Sequence, residues 1–154
     1  MKIITLSLIL FTLFNCEKPQ PNFLFIVVDD LGYRDLSVTG SDFYETPNID
    51  KIAQEGTLFT QGYANASVCS PSRASLLTGV YPTVHGITDW IGARYGTEWR
   101  DVGRKTQLLP SEYVKHLPFE MTTLPEVFKA QKYKTFFAGK WHLGEAIRDR
   151  GERD

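Results

Sequence analysis

Phe23-Leu24-Phe25-Ile26-Val27-Val28-Asp29-Asp30 is the stretch that decides the class of fold. Six apolar residues, aliphatic, aromatic or β-branched, follow one another without a polar break, and two acids end the run. A strand with one wet face would alternate. An unbroken run of this length predicts a central strand buried on both faces, as in sheets covered by helices on each side. The two acids at the strand exit then gain meaning, because ligands of open α/β sheets bind beyond the carboxyl ends of the strands. Neighbouring side chains on an extended chain point apart, so Asp29 and Asp30 reach one cation only if the backbone turns, which Leu31-Gly32 permits. Their hard oxygens favour Ca²⁺ or Mg²⁺ over zinc. Taken alone, two adjacent acids read equally as a solvated turn.

Working outward, Thr46-Pro47 opens a helix, with Thr46 able to cap it and Pro47 suited to its first turn. Ile49, Ile52 and Ala53 share one face, and Gly56 is a stop signal. Residues 57–63 suit a short strand, and residues 70–77 a helix that ends at Gly79. Thr123-Leu124-Pro125-Glu126 has the capping-box form, followed by Leu124, Val127 and Phe128 at helical spacing. Lys132 stands at the helix exit, where glycine is common, so a left-handed turn there carries strain. Residues 135–138 (TFFA) read as a second buried strand. Residues 87–118, with Gly, Trp, Arg and Pro and no period, predict a surface excursion near the site with a short helix in it. Strands alternating with helices indicate an α/β fold.

Composition narrows the function classes. The chain has 154 residues, 17 Lys+Arg against 18 Asp+Glu, and a formal net charge of -1. No basic excess exists to neutralise phosphates, so a nucleic-acid partner is not expected. Two cysteines exclude a disulfide-rich scaffold and a four-cysteine zinc site. Residues 1–15 (MKIITLSLILFTLFN) carry Lys2 and then an apolar run too short for a permanent span. They predict a cleaved export signal. Cys16 follows directly, and residues 16–22 form a Pro-rich tether. That arrangement resembles a bacterial lipoprotein signal, in which the cysteine becomes the lipid-carrying first residue. Asn15 departs from the small residue usual before it. The expectation is an exported protein of the periplasm or cell envelope, meeting the membrane only through a lipid anchor at Cys16.

The most specific stretch is Val68-Cys69-Ser70-Pro71-Ser72-Arg73-Ala74-Ser75-Leu76-Leu77-Thr78-Gly79. Cys-x-Pro-Ser-Arg followed by Leu-Thr-Gly resembles the signature of the sulfatase family, within the alkaline-phosphatase-like superfamily. Three companions stand in family order. Val28-Asp29-Asp30-Leu31-Gly32-Tyr33 resembles the first metal-binding segment. Thr46-Pro47-Asn48-Ile49-Asp50 resembles the next helix, and Gly139-Lys140-Trp141-His142-Leu143-Gly144 the second signature. The resemblance spans residues 21–144. Arg34 replaces the small residue usual after Gly-Tyr.

The resemblance implies an α/β fold with a central mixed, largely parallel sheet flanked by helices, of which residues 23–154 supply the N-terminal part. It implies that a maturation enzyme converts Cys69 to formylglycine. One hydroxyl of the hydrated aldehyde attacks sulfur and expels the alcohol. The other loses its proton, the aldehyde re-forms, and sulfate leaves. Asp29, Asp30 and residue 69 would hold the Ca²⁺ or Mg²⁺, while Arg73, Lys140 and His142 stabilise nucleophile and sulfate. The substrate would be a sulfate ester of a carbohydrate or a phenol. Family members bring a second acidic/amide pair to the metal and a later histidine and lysine to the sulfate, which residues 145–154 (EAIRDRGERD) do not supply. One alternative is therefore an inactive, truncated sulfatase; a second is a phosphate or phosphonate ester hydrolase, since relatives in the same superfamily cleave those esters. A Cys16–Cys69 disulfide competes with both proposed modifications. Trp90, Trp99, Tyr95 and Arg94 are candidate substrate contacts, with a packed loop the plainer reading. His85 and His116 stand outside the catalytic set.

Overall fold

A computed structural model describes residues 20–103 and 105–144. The expected export signal at residues 1–15, Cys16 with most of the expected tether, and residues 145–154 lie outside the described residues.

Among the described residues five helical segments follow one another: α1 (Pro47–Glu55), α2 (Cys69–Thr78), α3 (Pro82–His85), α4 (Glu98–Asp101) and α5 (Leu124–Ala130). A 3₁₀ turn at Ser37–Thr39 precedes them. Helix α1 starts and stops where Pro47 and Gly56 place it. Thr46 does not cap it, because its hydroxyl is engaged elsewhere. That oxygen accepts the Ser37 N–H at 3.0 Å and donates to Asp50 Oδ1 at 2.9 Å, while Asp50 Oδ1 accepts the Val38 N–H at 3.1 Å. The pair thus staples the 3₁₀ turn to α1. In α5 the capping box forms, with Glu126 Oε2 accepting the Thr123 N–H at 2.7 Å and the Thr123 hydroxyl at 2.9 Å. Lys132 leaves α5 with φ 67°, the left-handed turn its position predicted.

Helix α2 is the hub. Ser70, Pro71, Ala74 and Ser75 form its buried stripe, at helical spacing, and Gly79 ends it with φ 73°. Ala74 meets Ile87, Leu117 and Leu143, all fully buried, with Leu77, Ile91, Val114, Met121 and Trp141 packed around them. The excursion at 87–118 is therefore not purely superficial. Its two ends, Ile87 and Leu117, are core residues, and the Leu117 N–H donates to the Leu143 carbonyl at 2.9 Å. The short helix expected within it is α4.

The expected strands are corrected. Among the described residues no β-ladder forms, and residues 23–28, 57–63 and 135–138 pair with nothing. Burial on both faces fails with them: Leu24 is 86% exposed and Phe136 94%. A strand is completed by backbone partners on its flanks, and apolar sequence alone cannot supply those partners. The two apolar runs instead face each other across an open cleft of about 670 Å³, lined by Phe25, Val27, Phe136 and Ala138 and reaching Leu76 and Phe128. Phe23 closes one end against Phe128 and Tyr133, at ring-centroid distances of 4.9 and 5.7 Å.

Candidate active site

Four segments far apart in sequence converge beside the first turn of α2. The chain turns after Val28 as Leu31-Gly32 allows, but the residue that takes up the left-handed conformation is Asp30, with φ 56°. Asp35 fixes the turn by accepting the Gly32 N–H at 2.6 Å. Asp29 and Asp30 are thereby turned toward one another's side, and their carboxylates and the Cys69 sulfur each offer an atom within 4.8 Å of the others. Cys69 is the first residue of α2, preceded by the extended Val68, and it carries a free thiol. Unpaired N–H groups and the positive end of the helix dipole favour an anion at such a position.

Lys140 ties the segments together. Its ammonium donates to Asp29 Oδ2 at 2.6 Å and to Cys69 Sγ at 3.3 Å, across 111 and 71 residues of sequence. Arg73, one turn into α2, donates to Asp29 Oδ1 at 2.8 Å through Nη2 and to the Lys140 carbonyl at 2.7 Å through Nη1. Asp29 consequently sits between two cations. The hydrogen bond from Lys140, and then that from Arg73, hold its carboxyl below the ordinary carboxylate value. Asp29 in turn, and then Cys69, raise the Lys140 ammonium above its ordinary value. Asp29 and Lys140 are well hydrated, so the ion pair between them contributes little to stability, and its worth lies in placing charge.

His142 takes a different course. Alternation along an extended chain would place it on the side of Lys140. Its φ of 52° breaks that extension, and the side chain turns to the excursion, where Nε2 lies 2.9 Å from the Ile91 carbonyl. The Trp90 ring stands beside it, 6.1 Å between centroids. His85, kept out of the catalytic set, is buried behind α2, with Nε2 3.2 Å from Ser75 Oγ and Nδ1 accepting the Ile87 N–H at 3.1 Å. Of the other excursion residues, the Trp99 indole N–H donates to the Arg94 carbonyl at 2.6 Å, and the Tyr95 ring stacks edge-on to Tyr113, 5.8 Å between centroids, with Lys115 over its face. These packed contacts match the plainer reading of that loop. Ser70 and Ile91 escaped the sequence reading; Ile91 acts through its backbone, which leaves no residue-type signal.

The donor set can be compared with a hard cation. Atoms bound to one Ca²⁺ at about 2.4 Å can lie at most about 4.8 Å apart, which Asp29, Asp30 and residue 69 satisfy. Two carboxylates and an oxygen at position 69 fit part of a shell of six to eight oxygens. A thiol at that position suits a softer metal, so the fit improves once sulfur gives way to oxygen.

Comparison with known proteins identifies the family. The family model described as Sulfatase matches residues 21–153. The chain is 41% identical over 127 residues to the N-acetylgalactosamine-6-sulfatase of Homo sapiens, covering 82% of this chain and 22% of that protein. It is 41% identical over 128 residues to arylsulfatase G of Mus musculus, covering 83% and 21%, and 41% identical over 126 residues to steryl-sulfatase of Rattus norvegicus, covering 82% and 20%. The chain thus spans about a fifth of the length of these curated relatives.

Proposed function

This chain belongs to the sulfatase family, and on that premise we propose that it hydrolyses an organic sulfate ester at the Asp29–Cys69–Lys140 cluster. The observation that carries the reading is the Lys140 ammonium set between Asp29 and Cys69, with Arg73 braced on the same carboxylate. A signature cysteine at a helix start, faced by a fixed positive charge, is the environment a sulfate group and an oxygen nucleophile require.

Cys69 is the precursor of formylglycine, made by a maturation enzyme, and the hydrated aldehyde is the nucleophile. Asp29, Asp30 and residue 69 would hold Ca²⁺ or Mg²⁺, which favours an ionised oxygen nucleophile and neutralises sulfate oxygens. Lys140 offsets negative charge at the nucleophile and on the sulfate. Arg73 holds Asp29 in place and, through the Lys140 carbonyl, sets the strand of backbone that carries Lys140. His142, held on the excursion by Ile91, is assigned to the stabilisation of nucleophile and sulfate through the family resemblance. Residues 1–15 direct export, and Cys16 is the lipid anchor point.

Two measurements test the reading on the intact protein from its native host. Peptide mass spectrometry across Cys69 should find the thiol replaced by the aldehyde or its hydrate; an unmodified thiol sinks the mechanism. Hydrolysis of an aryl sulfate in preference to the matching aryl phosphate is expected, and the reverse preference supports the phosphate-ester alternative.

A further inference from the structure

Ser70 is fully buried on the first turn of α2, immediately after Cys69, and its hydroxyl accepts the Ile91 N–H at 3.0 Å. The carbonyl of that same residue faces His142 Nε2 at 2.9 Å. A carbonyl oxygen has only lone pairs to offer, so the shared hydrogen belongs to Nε2. In a neutral ring Nδ1 is then an acceptor, and here it is enclosed without a partner among the described residues.

Ile91 sits in a turn that is clamped from outside. The Tyr113 hydroxyl lies 3.0 Å from the Trp90 carbonyl and 2.8 Å from the Ala93 carbonyl. Gly92 follows at φ 115°, and a Cβ there would approach the Trp90 ring to 2.3 Å, so the turn is one a side chain would force open. Ser70 fixes the turn from the helix side. It therefore holds Ile91 at the distance where its own carbonyl meets His142.

We propose that Ser70 is a positioning residue for His142: through Ile91 it fixes the imidazole as the Nε2–H tautomer and leaves Nδ1 as its free acceptor. The link runs from the residue beside the nucleophile position, through the excursion, to the second signature. A neutral His142 cannot then donate a hydrogen bond from Nδ1, and a proton at that atom requires the imidazolium. The importance of this tautomer for turnover rests on the proposed function; the tautomer itself does not.

The test is long-range ¹H–¹⁵N correlation on the intact protein with ¹⁵N-labelled histidine, at a pH where the imidazole is neutral. The expected wild-type result is one tautomer, Nε2–H, with the Ile91 amide slow to exchange. Ser70→Ala should lower the tautomer preference about tenfold, the worth of one hydrogen bond, and speed exchange at Ile91. Ser70→Thr, which keeps the hydroxyl, should restore both. Unchanged signals from His85 and His116 establish that the fold is intact. If Ser70→Ala does not fold, Tyr113→Phe loosens the same turn from the other side and should shift the tautomer in the same direction. A wild-type His142 that is mixed or Nδ1–H overturns the proposal. So does a folded Ser70→Ala, or Tyr113→Phe in its place, that leaves the tautomer and Ile91 exchange unchanged. An unmodified Cys69 alongside the expected tautomer would refute the sulfatase mechanism alone.

Discussion

Lys140 joins Asp29 to Cys69, and its replacement is the sharpest single test of the candidate site. Lys140→Gln removes the charge beside Cys69 and Asp29 while keeping length and a hydrogen-bond donor. Loss of a preorganised group that stabilises developing charge costs about 10²–10³-fold in turnover, and that is the expected fall in aryl sulfate hydrolysis by the matured, intact protein. Lys140→Arg should recover little, because a planar fork cannot take the place of a point charge set between a carboxylate and residue 69. His85 gives a prediction of a different kind. Burial chiefly, against the opposing Pro71 carbonyl, lowers its pKa from 6.5. Its Nδ1 accepts from Ile87, so a proton there would oppose the Ile87 N–H. The fold therefore binds this proton more weakly than the unfolded chain does. Its contribution to stability is full above pH 6.5 and falls as pH drops through the lowered folded value, by at most about 1.4 kcal/mol per pH unit. Denaturant unfolding of wild type and His85→Asn between pH 7.5 and about pH 5 checks this, the variant losing the His85 component of the slope. At this scale the sequence was most informative. Asp29, Asp30, Cys69, Arg73 and Lys140 each carry their chemistry in the side chain; the strand exit pointed to the two acids, and the resemblance to the sulfatase signatures brought the others to notice. The tie between His142 and Ile91 was hidden because a carbonyl is the same in every residue.

Among the elements, those whose ends are set locally were legible and those that need distant partners were not. Pro47 and Gly56 bound α1, Gly79 ends α2, and the Thr123–Glu126 box starts α5, all within a few residues of sequence. Removing the box by Glu126→Ala should cost about 1 kcal/mol, measured as a shift in denaturant midpoint at unchanged slope. Lys132 works the other way. A side chain held at φ 67° costs about 1 kcal/mol that glycine avoids, so Lys132→Gly should stabilise the protein even though glycine is the more flexible residue when unfolded. A fall in stability on that substitution would mean that the lysine side chain makes up for its backbone strain. The runs at 23–28 and 135–138 have strand composition with no ladder around them. Strand pairing joins residues far apart in sequence, and local pattern states a readiness for it without naming the neighbour.

At the scale of the molecule, the buried core and the apolar surface lie in different places. Ile87, Leu117 and Leu143 close around Ala74 of α2, while the two apolar runs line an open cleft that meets the core at Leu77 and Trp141. The family is an α/β one, and in such folds both runs would be strands covered on each face. Leu24 and Phe136 distinguish the two environments, because they are almost fully exposed here. In the chain of 154 residues, Leu24→Lys and Phe136→Lys should each change unfolding free energy by less than about 0.5 kcal/mol, as surface substitutions do. The double variant should also bind less of an apolar fluorescent dye, since a large exposed apolar patch is what such a dye reports. In a longer chain whose further residues paired with these runs as strands, the same substitutions would place an unpaired ammonium in a sheet interior and cost several kcal/mol. The pair of measurements therefore reads how the runs are covered. A large loss of stability already in the 154-residue chain would show that Leu24 and Phe136 are buried within it, and the open cleft would have to be abandoned.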